Sequence, residues 1–112
     1  MDYVLVNVTA PEDQGIRIGR VLVEEGLAAC VNVVRGGIRS IYRWKGNVEE
    51  DEEALLIIKT TRPALDRLVR RVKELHPYEV PEIIAMPIIA GNEDYLRWIE
   101  ESVYGKGGGA EQ

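Results

Sequence analysis

The chain has 112 residues, 46% of them apolar, a formal net charge of -5 and a single cysteine, Cys30. That length holds one compact core without a disulfide or structural metal, and the charge has the wrong sign for nucleic acid or an anionic membrane surface. The longest strongly apolar stretch, residues 83–90, contains Pro87 and falls far short of the ~20 residues of a membrane helix; with no signal-like N-terminus, a soluble cytoplasmic protein with a reduced Cys30 is expected.

Residues 3–9 (YVLVNVT) are rich in β-branched side chains and closed by Ala10-Pro11, which reads as a first strand. Glu12 and Asp13 then place acid at a positive helix end, Ile18, Val21 and Leu22 recur at helical spacing, and Gly26 offers a left-handed cap. A first helix over residues 11–25 follows. Gly15 and Gly19 share one of its faces, and each costs about 1 kcal/mol against alanine, a cost that close approach to a sheet would offset.

Residues 27–34 (LAACVNVV) form the second strand, which Gly36-Gly37 interrupts with a bulge or bend before it resumes at Ile38. Gly46-Asn47 is a hairpin signal, returning the chain as a third strand through residues 48–60. A turn on those two residues pairs Lys45 with Val48, Arg43 with Glu50 and Ile41 with Glu52, so basic and acidic arms face each other. Thr61 is placed to cap a second helix carrying Leu65, Leu68, Val69, Val72 and Leu75 and ending before His76-Pro77. Residues 83–89 are a fourth strand, and Asn92 caps a third helix over residues 93–103. Residues 105–112 (GKGGGAEQ) have the composition of a flexible tail, leaving one domain over residues 1–104.

Strand, helix, strand, strand, helix, strand is the order of the α+β ferredoxin-like split βαβ sandwich, here with an extended β-hairpin and an extra C-terminal helix. That plan puts both main helices on one sheet face. Strands one and three are nevertheless apolar on both faces, so the other face is expected to be covered by a second copy of the chain.

Five stretches then become specific together: LAACVN from Leu27, SIYRWKG from Ser40, EEDEEALLIIKT from Glu49, ELHPYEVPEIIA from Glu74 and GNEDYLRWI from Gly91. In this order they resemble the CutA family of divalent cation tolerance proteins. The resemblance implies a cytoplasmic homotrimer, similar to the nitrogen-regulatory PII proteins, whose long hairpins pair between subunits, and a link to tolerance of copper and other divalent cations. It implies no required cofactor. Metal binding in the family involves thiol and imidazole ligands, and Cys30 and His76 are the residues of those types in the matched motifs.

The leading expectation is a non-enzymatic trimer that responds to metal ions. The alternative is a PII-like signalling trimer that binds a small effector in an intersubunit cleft built from Trp44, Lys59, His76, Tyr78 and Glu82, with aromatic walls and a few polar groups. A lesser one is an enzyme using Cys30 or His76, against which no nucleophile and base occur in a recognisable pairing. In the ferredoxin-like plan Cys30 and His76 sit near opposite sheet ends, roughly 20 Å apart, so one subunit cannot bring both to one ion. Copper binding should then be weak and use carboxylates, His76 alone or groups from several subunits, with Cys30 buried as packing. The hairpin outruns strand one, and its overhang is expected to pair with a neighbour and close a ring. High thermal stability is also expected, because thermolabile residues are few and charged residues reach 29%.

Overall fold

The computed structural model describes residues 2–104; the expected tail, residues 105–112, lies outside the described residues. In chain order the elements are β1 (Tyr3–Ala10), α1 (Glu12–Glu24), β2 (Cys30–Trp44), β3 (Asn47–Thr61), α2 (Leu65–Leu75), β4 (Ile83–Ile88) and α3 (Glu93–Ser102). The four strands form one antiparallel sheet in the order β2-β3-β1-β4. This is the ferredoxin-like α+β arrangement, with β2 and β3 running past the rest as an arm.

Alternation decides the layers. Along β1, Val4, Val6, Val8 and Ala10 are buried, and on β3 Ala54, Leu56, Ile58 and Thr60 join them under α1 and α2. Ile18 and Leu22 of α1 and Leu68 and Val72 of α2 complete that core, each fully buried. Gly15 and Gly19 let α1 close on the sheet: a Cβ at Gly15 would stand 2.9 Å from Leu56 Cδ1, and one at Gly19 would stand 3.0 Å from Val31 Cγ1. The helix ends in a Schellman motif, with Leu27 N–H donating to the Leu22 carbonyl (2.9 Å), Gly26 N–H to that of Val23 (3.1 Å), and Gly26 at φ 73°.

The expected bulge is present. The β2–β3 register slips between Val34 and Ile38, where Gly36 and Gly37 take φ values of 68° and 78°. The hairpin turn differs from expectation. Lys45 and Gly46, at φ 51° and 85°, occupy it, so Trp44 pairs with Asn47 and Arg43 lies opposite Val48, with Ile41 opposite Glu50. Positive φ at both central positions is the type I′ turn, which favours glycine second, as Gly46 is here. Arg39 therefore carries the cross-arm ion pair, 3.5 Å from Glu50.

Helix α2 also starts later than its sequence suggests. Residues Arg62–Ala64 form a 3₁₀ turn around Pro63, and the Thr61 side chain caps nothing. Asn92 does cap α3, accepting from Asp94 N–H at 3.0 Å. By alternation Tyr3 lies on the sheet face away from α1 and α2, and its hydroxyl donates to Glu100 of α3 at 3.0 Å, so α3 covers that face at one end. Elsewhere the face is open, with Ile84 52% and Met86 38% exposed.

Candidate functional site

Residues 54–61 of β3 pair with β1, whereas residues 47–53 pair only with β2. The segment joining α2 to β4 fills space beside this departing arm, because Tyr78 reaches across to Glu53. Between them lies an open groove of about 830 Å³, lined by residues 40–44, Glu53 and residues 78–82.

Glu53 anchors it. The residue is only 4% exposed, yet its carboxylate is held by hydroxyls: Ser40 Oγ donates to Oε1 at 2.5 Å and the Tyr78 hydroxyl to Oε2 at 2.8 Å. On the same face of the arm the Tyr42 hydroxyl donates to Asp51. Burial first, then the bond to Glu53 and the charges of Glu53 and Asp51, hold the Tyr78 phenol well above the ordinary tyrosine value. Tyr42 is pushed up to about 12, first by its bond to Asp51, then by burial and by the charges of Asp51, Glu49 and Glu53. Burial and the carboxylate-bound hydroxyls thus keep both phenols protonated, with the neighbouring acids adding to the effect.

His76 sits behind Tyr78, with ring centroids 4.8 Å apart. Its Nδ1 accepts the Tyr78 N–H at 3.1 Å, which leaves Nε2–H to donate to the Thr9 carbonyl at 2.8 Å. Both nitrogens are engaged, so the buried imidazole positions the loop rather than facing the groove.

Of the five residues expected in an intersubunit cleft, a single chain brings Trp44, Tyr78 and Glu82 to this groove and sets His76 behind it. Lys59 is elsewhere. It pairs with Cys30 and Leu5 and donates to Asn32, and six residues of strand put it roughly 20 Å from Glu53. Ser40, Tyr42 and Glu53 line the groove as well, outside the five residues expected in the cleft. Alternation through the arm with the observed register puts Tyr42 and Ser40 beside Glu49, Asp51 and Glu53, and that was the available signal.

Cys30 is half-buried rather than sealed in the core, on the face away from α1 and α2, with Tyr95 of α3 close to it. The register places it level with Leu5, two strands away across β3, whereas His76 bonds to Thr9, so about 13 Å along the strands and about 10 Å across two strand spacings separate the two. That is less than the expected separation and still far beyond one coordination sphere. Among the described residues no three His, Cys, Asp or Glu side chains converge as a metal site.

Comparison with known proteins places this geometry. The family described as CutA1 divalent ion tolerance protein matches residues 4–102. The chain is 54% identical over 99 residues to the divalent-cation tolerance protein CutA of Thermus thermophilus, covering 88% of this chain and 95% of that one. It is 49% identical over 100 residues to the protein named CutA 1, chloroplastic, of Oryza sativa, covering 88% of this chain but only 56% of the relative. A solved structure of CutA1 from Oryza sativa superposes with a TM-score of 0.90 at 46% identity, covering 95% of this chain and 97% of that one.

Proposed function

The chain belongs to the CutA1 divalent ion tolerance family, and from that premise we propose that it works as a non-enzymatic homotrimer that responds to divalent cations, copper among them. The observation that carries the assembly is the arm: residues 47–53 of β3 leave one backbone edge unpaired beside an open apolar face. Unpaired edges of this kind are satisfied by a further strand, and a second copy supplies one. Cation binding is weak in this reading and uses exposed carboxylates, since Cys30 and His76 are apart and both imidazole nitrogens are engaged. A reducing compartment, the cytoplasm, suits the lone Cys30, and the acidic surface disfavours nucleic acid and anionic membranes. Among the described residues no helix is long and apolar enough to cross a membrane.

The test is native mass spectrometry of protein purified without added metal and then titrated with copper. A trimer with weak, non-saturating copper uptake that persists in Cys30→Ala is expected. A stable monomer at micromolar concentration, or tight stoichiometric copper lost on either Cys30→Ala or His76→Ala, overturns the reading. A second reading, a PII-like trimer that senses a small effector, is favoured by one observation, the aromatic-walled groove between the arm and residues 78–82.

A further inference from the structure

The groove has a definite chemical character. Three of its lining side chains are carboxylates, Glu53, Glu79 and Glu82, and three are aromatic, Tyr42, Trp44 and Tyr78. Arg43 also borders it, but its Nη1 points to the Gly46 carbonyl at 3.4 Å, within the hairpin turn. The Trp44 ring already has a cation over it, the chain's own Lys45 Nζ, 5.6 Å from the ring centroid. The Tyr42 and Tyr78 hydroxyls are themselves spent on Asp51 and Glu53, which sets these two carboxylates against the aromatic wall. A cation is therefore the complementary guest.

Two kinds of cation compete, and the geometry separates them. A divalent metal needs several oxygen ligands on one point, and among the described residues no such cluster of carboxylates forms. Here aromatic side chains share the lining with the acids, and Glu53 is already tied by Ser40 and Tyr78. Aromatic faces with peripheral negative charge suit an organic ammonium, whose charge is diffuse and whose hydration is cheap to remove. We propose that this groove binds a small organic ammonium ion, its charge among the Tyr42, Trp44 and Tyr78 rings and the Glu53, Glu79 and Glu82 carboxylates. The proposal rests on the effector reading and names the class of effector.

Calorimetry on the full-length assembled protein tests it, with choline as the probe, dimethylbutanol as its neutral carbon isostere, and acetate and magnesium as controls. Choline should bind saturably, with dimethylbutanol about tenfold weaker or more. Trp44→Leu and Glu82→Gln, both at exposed positions and so leaving the fold intact, should each weaken choline by about threefold to tenfold. Equal affinity for choline and dimethylbutanol, or choline binding that neither substitution changes, overturns the proposal. Displacement of choline by equimolar magnesium would make the groove a metal site and overturn it too. If dimethylbutanol or acetate binds and choline does not, the effector reading stands and the ammonium class fails; silence from all three organic probes removes both. Native mass spectra of the same samples report subunit number separately, so a trimer that ignores choline leaves the assembly reading intact.

Discussion

Glu53 sits at the root of the arm with two hydroxyl donors where a buried carboxylate would more often take a cation. Removing one donor exposes what that arrangement is worth. Tyr78→Phe leaves Oε2 without its partner in a buried position, and urea unfolding should show a loss of about 1–3 kcal/mol. An unchanged midpoint would mean that water replaces the phenol freely. Tyr42 gives a pH test. Its phenol stays protonated in the folded state up to about 12, through its bond to Asp51 first. The folded chain therefore binds this proton more tightly than the unfolded chain does. The resulting stability is whole below the ordinary phenol value of about 10 and is lost as pH rises through the higher one. Absorbance titration of the parent against Tyr42→Phe should show one phenol fewer ionising near 12, and a difference centred on the ordinary value would contradict the Asp51 bond. Trp44, Tyr78 and Glu82 could be picked out from the sequence because an aromatic at the hairpin end and an aromatic and an acid in the loop after α2 are visible one residue at a time. Glu53 and Ser40 could not, because their meeting depends on which residues share an arm face, and a run of five acids reads as a solvated surface.

At the level of elements, local chemistry was legible wherever one residue type settles the geometry. Gly26 ended α1, Asn92 opened α3, and Gly36-Gly37 marked the bulge. It failed where two neighbouring placements were nearly equivalent. Gly46 can stand first or second in a two-residue turn; the choice shifts each partner by two positions, so faces are kept while the paired charges change. Thr61 failed for another reason: it ends β3, and the 3₁₀ turn Arg62–Ala64 intervenes before α2 begins. The turn itself is open to test, since Lys45 at φ 51° occupies a region that L side chains avoid and asparagine tolerates. Lys45→Asn should stabilise the hairpin by up to about 1 kcal/mol, seen as a higher midpoint in urea with the slope unchanged. A lower midpoint would show that Lys45 contributes more through its place over Trp44 than its backbone costs.

The molecule as a whole is 47 Å long, close to the ~50 Å span of the 15-residue β3, so the arm sets its shape. One sheet face is sealed by α1 and α2. The other, apart from the end under α3, shows solvent an apolar surface that includes Ile84 and Met86. If second and third copies cover that face, stability must depend on protein concentration, because mass action favours the assembled state over unfolded chains. A melting temperature above about 65 °C that climbs with concentration is therefore expected. Ile84→Glu tests the cause. In a single chain Ile84 is 52% exposed, so glutamate there costs the subunit's own fold little. In the assembly the same carboxylate would be buried without a partner, a burial that costs several kcal/mol in each copy. Sedimentation should then find monomers, with a lower melting temperature that no longer moves with concentration. A variant that still sediments as the parent does would show that this face stays in water, and the arm would have to find its partner along another edge.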